Sequence, residues 1–85
     1  MDCMLKIGDK DMNDILTRIV LGGDNKTLLK SMKNRLGRMY NETDNPTVKM
    51  NAGYYYSLID KYLKSKDINI YLRLIKECLC DIQVK

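Results

Sequence analysis

The apolar residues recur along the chain at the three- and four-residue spacing of amphipathic helices, and four segments show this pattern. The first begins after Asp9, whose side chain is expected to cap the helix, and ends at Gly22-Gly23, which suit a left-handed C-terminal turn. Its apolar stripe consists of Met12, Ile15, Leu16, Ile19 and Val20.

The second segment is a basic amphipathic helix that starts after Asp24, the expected N-cap, and stops near Asn41. At about 100° per residue, one side of it is apolar and the other is polar. The inward side carries Leu28, Met32, Leu36 and Met39, with Leu29 and Tyr40 at its margin. The outward side carries Lys26, Lys30, Lys33, Asn34 and Arg38. Residues 42–45 form the clearest loop.

A third helix starts at Asn45-Pro46, an N-cap residue followed by proline at the first helical position, and runs to Ser65. It continues through Gly53, which indicates that another backbone or a large side chain packs there, because glycine costs about 1 kcal/mol in a helix. Its inward face is expected to consist of Val48, Ala52, Tyr55, Ile59 and Leu63.

Asp67 is expected to cap a fourth helix after a tight hairpin. Apolar residues cover more than half of the circumference of this helix, which predicts a central position or a partner. They are Ile68, Tyr71, Leu72, Leu74, Ile75, Cys78, Leu79 and Ile82. The sequence therefore predicts an all-α fold, a compact bundle of about four helices with short loops, and a single helical domain over residues 1–85.

The residue content disfavours most catalytic and metal chemistry. The chain has no histidine, which removes the usual general base near neutral pH and a common zinc ligand. Cys78 and Cys80 point about 200° apart on a helix, and with Cys3 the number of thiols stops at three. The carboxylates of Glu42 and Asp44 are better explained as groups that keep their loop solvated than as a site for a divalent cation. We therefore expect no enzyme, no metal and no cofactor.

Neither a signal peptide nor a membrane-spanning segment is recognisable in the 85 residues. Three cysteines, an odd number, are not typical of a disulfide framework, which predicts reduced thiols and a cytoplasmic location. The heavy use of Lys, Asn, Asp, Ile and Tyr is typical of A/T-rich genomes and suggests a phage or mobile-element origin.

Positive charge is concentrated in residues 26–40, where five of the fifteen residues are basic and none is acidic, although the whole chain carries a net charge of only +4. Such a helix suits the phosphates of DNA or RNA, while an asparagine suits the edge of a base. The predicted nucleic-acid contacts are Lys26, Lys30, Lys33, Asn34, Arg35 and Arg38. The favoured function is thus a small regulatory or accessory protein that contacts nucleic acid.

Other interpretations of the same residues stay open. The basic side is also explained as a solvated surface, or as a docking face for an acidic protein. One alternative function is an inhibitor or adaptor of a host enzyme or ribonucleoprotein, of the anti-defence or anti-CRISPR type. Another is a structural subunit of a helical assembly. Met50 and Tyr54, expected to point outward from the third helix, form a candidate protein interface, and either this patch or the fourth helix would support a homodimer.

Overall fold

The computed structural model describes residues 10–82, which form four α-helices joined by short connections. These are α1 (Lys10–Gly22), α2 (Lys26–Glu42), α3 (Pro46–Ser65) and α4 (Ile68–Ile82). No strand occurs within this range, so the predicted all-α bundle is confirmed. None of these helices combines the length and the apolar character that crossing a membrane would require. The predicted cap at Asp9 lies outside the described residues.

Side-chain caps set most of the helix starts. Asn45 accepts hydrogen bonds from the backbone N–H groups of Thr47 and Val48 at 2.9 and 3.3 Å, as predicted. The Asp67 carboxylate likewise accepts from the Asn69 N–H at 2.9 Å. These caps confirm that α3 and α4 begin where the sequence indicates.

The cap predicted for α2 is wrong by one residue. Asn25, not Asp24, occupies the N-cap position, and its side chain accepts from the Leu28 N–H at 3.0 Å. Gly23 takes a positive φ of 65°, and its carbonyl oxygen accepts from the Asn25 N–H at 2.9 Å. This turn uses one more residue than the pattern indicated, so the helix starts later.

The four helices close into a bundle, because each packs on its predecessor and α1 also packs on α4. The α2–α3 contact is the most extensive. On α2, Leu29 is fully buried, whereas Leu28 and Met39 are only partly buried, so the predicted inward side is rotated from the observed one. The buried hydrophobic residues are Met12, Ile15, Leu16, Ile19, Leu29, Met32, Leu36, Val48, Ala52, Tyr55, Leu58, Ile59, Tyr62, Leu74 and Cys78.

One carboxyl group lies inside this core. Asp81 is only 5% exposed, and the hydroxyl of Tyr55 donates a hydrogen bond to its carboxylate. The backbone oxygen of Glu77 lies 3.1 Å from the same hydroxyl oxygen. Burial raises the pKa of Asp81, and the Tyr55 hydrogen bond opposes that rise only in part. Tyr55 is therefore both a core residue, as predicted, and the polar partner of a buried acid.

The cysteines differ in state. Cys78 has a free, fully buried thiol, as expected for a small core residue, and burial raises the pKa of that thiol. Cys80 is disulfide-bonded, so the expectation that every thiol is reduced is wrong for this residue. Disulfides are rare in cytosolic proteins, so this bond does not support a cytoplasmic location. That location stays a prediction. The part of the cysteine prediction that concerns Cys3 falls outside the described residues.

The tyrosine triplet of α3 is arranged differently from the prediction. Tyr54 does not point into solvent: it is partly buried, and its ring packs edge-on against the ring of Tyr55 with 5.4 Å between centroids. Tyr56 is the more open ring, with 39% of its surface exposed. Position on an isolated helix cannot reveal this, because the neighbours of α3 determine which of its sides is covered.

The fourth helix leaves part of its apolar surface in solvent. Leu74 and Cys78 face the core, whereas Ile68, Leu72 and Leu79 are each at least half exposed. The position of α4 is therefore peripheral, and the predicted central location is wrong. The other half of that prediction, contact with a partner, stays a prediction.

Candidate nucleic-acid interface

A row of polar side chains runs along the outward side of α2. Lys26, Lys30, Asn34 and Arg38 follow each other at four-residue intervals, and all are exposed. At 1.5 Å per residue the row is about 18 Å long. None of the three cations forms an ion pair with a carboxylate of residues 10–82. We call these four residues the basic row.

Two other predicted contact residues lie at the sides of α2. The Lys33 ammonium is 3.0 Å from the Asp60 carboxylate of α3, and the Arg35 guanidinium is 3.2 Å from the Asp14 carboxylate of α1. Lys33 is therefore not on the outward side, contrary to the prediction. The two ion pairs link α2 to both neighbouring helices and offset two of the five positive charges in residues 26–40.

The same ion pairs lower the pKa values of the two acids. The Lys33 ammonium, followed by that of Lys64, holds the pKa of Asp60 below its ordinary value. Hydrogen bonds from Arg18 and then Arg35 lower the pKa of Asp14. Both carboxylates are thus already engaged by cations of this chain.

Sequence reasoning missed a further cation beside the basic row. Lys66 ends α3 in the left-handed conformation, with φ of 57°, and its ammonium lies close enough to Lys26 to lower the pKa of that residue. Two like charges are brought together where the ends of α2 and α3 meet. No spacing signal predicts this contact, because it depends on how the helices stack.

Arg38 also borders a cavity of about 380 Å³ at the other end of α2. Asp11 and Glu42 line the same cavity, over an apolar floor that includes Ile15 and Val48. The charges at this end of the row are therefore mixed. At the opposite end Lys26 lies near both Lys66 and the carboxylate of Asp24.

A short pattern occurs twice in the α2–α3 pair. The order Lys-x-x-x-Gly-x-x-Tyr appears at residues 33–40 in α2 and again at 49–56 in α3. A Cβ atom built on Gly37 would lie 3.2 Å from the Tyr56 ring, and one built on Gly53 would lie 3.1 Å from the Tyr40 ring. Each glycine therefore accommodates the tyrosine of the opposite helix, which confirms the prediction that a large side chain packs at Gly53.

The lysines of the two copies cross in the same way. The Lys33 ammonium lies 5.2 Å from the centroid of the Tyr56 ring, and that of Lys49 lies 4.2 Å from the centroid of the Tyr40 ring. Lys49 also donates a hydrogen bond to the backbone oxygen of Tyr40 at 3.0 Å. Such contacts are attractive because the face of an aromatic ring is electronegative.

Between the two helices, this crossed packing leaves an open groove of about 370 Å³. It is lined by Gly37, Tyr40, Asn41, Gly53 and Tyr56. Tyr40 remains 41% exposed and Tyr56 remains 39% exposed. We call this feature the tyrosine groove.

The candidate protein-interface residues are separated by the structure. Met50 is 58% exposed, as predicted. Tyr54 instead packs on Tyr55 and lies close to Glu77 and Arg73 of α4. Three exposed apolar residues lie instead together on one side of α4: Ile68, Leu72 and Leu79.

Within residues 10–82, the Cys, Asp and Glu side chains form no group of three that suits a metal ion. Compared with known proteins, the chain matches no family model, no curated protein and no solved structure.

Proposed function

We propose that this protein is a small nucleic-acid-binding protein that contacts phosphates through the outward side of α2. The observation that carries the proposal is the basic row, three exposed cations and one amide along about 18 Å of helix with no ion-pair partner among the described carboxylates. Phosphate binding by Lys and Arg releases condensed counterions and supplies most of the sequence-independent affinity for DNA or RNA.

The distribution of charge over the bundle supports this proposal. Residues 26–65, which comprise α2, α3 and their loop, contain eight cations and three carboxylates, a net charge of +5. The whole chain carries +4, so the remaining residues are slightly acidic. A surface that serves only solubility usually mixes both signs. An anionic partner would relieve the repulsion between Lys26 and its neighbours Lys30 and Lys66.

The salt dependence of binding tests this proposal. With three to four phosphates contacted, the logarithm of the association constant should fall against the logarithm of the salt concentration with a slope of about −3. Fluorescence anisotropy with labelled DNA and RNA oligonucleotides, from low to moderate KCl, gives this slope. Absence of binding even at the lowest salt would rule the proposal out.

The exposed apolar side of α4 favours a second function, an inhibitor or adaptor that binds a host protein or ribonucleoprotein. Ile68 and Leu72 are each 57% exposed and Leu79 is 50% exposed. Their spacing puts them on one side of the helix, which is typical of a surface that docks another protein or a second copy of the chain. This surface is distinct from the basic row, so the two functions are compatible.

Nuclease treatment separates these two functions. If α4 binds a protein, a specific host protein should stay bound to the immobilised chain after nuclease treatment, and Leu72→Glu should release it. Retention of a partner only while nucleic acid is intact would contradict this second function. Light scattering of the free protein at high concentration completes the test: a strict monomer excludes both a homodimer and a structural subunit that assembles by itself.

A further inference from the structure

We infer that the tyrosine groove binds unpaired bases, so that the preferred ligand is single-stranded RNA or DNA. The inference rests on the proposed function, because the phosphates of the same strand would be held by the basic row. It goes further in naming the class of nucleic acid and a second set of contacts, which lie on both α2 and α3.

The groove exists because both helices have glycine where they approach each other. Any Cβ at Gly37 or Gly53 would contact the opposite tyrosine at 3.1–3.2 Å, tighter than most ordinary packing contacts. The rings of Tyr40 and Tyr56 can therefore lie low between the helices, while each residue stays about 40% exposed. The resulting volume of about 370 Å³ falls in the range of small-ligand sites.

Half-exposed aromatic rings beside cations are the usual surface for an unpaired base. Aromatic side chains stack on bases irrespective of sequence, while nearby lysine and arginine side chains follow the backbone of the strand. The Lys33 charge is offset by Asp60, but Lys49 forms no ion pair with a carboxylate of residues 10–82. Its ammonium lies over the Tyr40 ring and donates one hydrogen bond to the Tyr40 backbone oxygen. An ammonium has three N–H donors, so the others can reach a phosphate at the α3 side of the groove.

The basic row lies next to the groove on α2. Asn34 precedes Gly37 by three residues and Asn41 follows it by four, so both flank the groove on the same side of the helix. Asn41 also lines the groove itself. An asparagine amide offers one donor and one acceptor to the edge of a base. A nucleic-acid strand that crosses α2 thus contacts the cations of the basic row, and its bases reach the tyrosine rings and the asparagine amides at the groove.

A duplex does not fit this arrangement, because its bases are stacked on each other and present only their edges in the grooves. Stacking on Tyr40 or Tyr56 needs a base whose face is free. The crossed packing therefore favours a single strand over a duplex of the same sequence.

The test compares a labelled single strand of about 12 nucleotides, in RNA and DNA forms, with the matching duplexes at low salt. We expect the wild-type chain to bind at least one of the single strands about 10-fold more tightly than its duplex. Tyr40→Leu and Tyr56→Leu should each weaken single-strand binding by about 5- to 100-fold and leave duplex binding unchanged. Tyr54→Leu, which removes a ring on the α4 side of α3, is the matched control and should bind as the wild type does.

Amide chemical shifts provide a measurement that does not depend on the stability of the variants. On adding the single strand to the wild-type protein, the Gly37 and Gly53 amide signals should shift together with those of the basic row. Equal affinity for strand and duplex, with unshifted Gly37 and Gly53 signals, overturns the inference while the proposed function stands. Failure of the wild type to bind any of these oligonucleotides overturns both.

Discussion

Reversing the charges of Lys26, Lys30 and Arg38 to glutamate together is expected to weaken nucleic-acid binding by about 10²- to 10³-fold near 0.1 M salt. Each lost phosphate contact removes close to one counterion from the binding equilibrium, so three lost contacts also lower the salt slope by about three. The fold should persist, because these side chains are exposed and none forms an ion pair within residues 10–82. Anisotropy titrations and circular dichroism measure the two properties.

A second triple variant controls for net charge. Lys61, Arg73 and Lys76 are also exposed, lie on α3 and α4, and give the same change in charge when replaced by glutamate. This control should lose much less affinity, since only long-range attraction is affected. If both triple variants lose affinity equally, binding follows overall charge and the basic row has no special role. Lys33 is left unchanged because a glutamate there would face Asp60.

Removing the Tyr55 hydroxyl with Tyr55→Phe is expected to lower the free energy of unfolding by about 2–3 kcal/mol at neutral pH. The reason is that Asp81, buried among apolar side chains, accepts a hydrogen bond from this hydroxyl, and bonds to charged groups contribute about 1.5–3 kcal/mol. In a domain of this size the melting temperature should fall by roughly 10 °C or more. Thermal unfolding followed by circular dichroism measures this change.

Asp81→Asn tests whether the charged Asp81 carboxylate causes this loss of stability. In that background Tyr55→Phe should cost only about 1 kcal/mol, because the partner of the hydroxyl is neutral. An equal cost in both backgrounds would show that the hydroxyl does not serve Asp81. The pair of variants forms a double-mutant cycle for two residues in direct contact.

The pH dependence has a definite sign. Burial raises the pKa of Asp81 in the folded state above its ordinary value of 3.8, so the folded protein holds this proton more firmly than the unfolded chain does. Between that ordinary value and the higher folded value, this group makes the protein less stable as the pH rises. The unfolding free energy of Asp81→Asn minus that of the wild type should therefore increase as the pH rises from about 4 toward neutrality.

Local sequence signals were sufficient to predict the helices and the starts of α3 and α4. Asn45-Pro46 and Asp67 marked the starts of α3 and α4 because caps and N-terminal proline act over three or four residues of the same segment. Gly53 indicated a close contact because glycine is costly in a helix and is kept where a side chain does not fit. At Asp24 the same kind of signal failed, since two adjacent residues were both good caps and the turn at Gly23 favoured Asn25.

The candidate site was predictable only in part. Lys26, Lys30, Asn34 and Arg38 lie outward because their positions on a single helix oppose its buried side. Lys33 was placed there too, but its pairing depends on Asp60, which lies 27 residues further along the chain. The exposure of Tyr56 in place of Tyr54 likewise depends on where α4 lies.

By itself, the sequence determined four amphipathic helices and a concentration of positive charge on α2, because periodicity and capping are properties of one segment. Only the tertiary structure decided which cations are paired, that Lys66 lies beside Lys26, and that the two Lys-x-x-x-Gly-x-x-Tyr segments cross to form the tyrosine groove. Those features come from side chains of different helices, so they depend on the packing of the bundle.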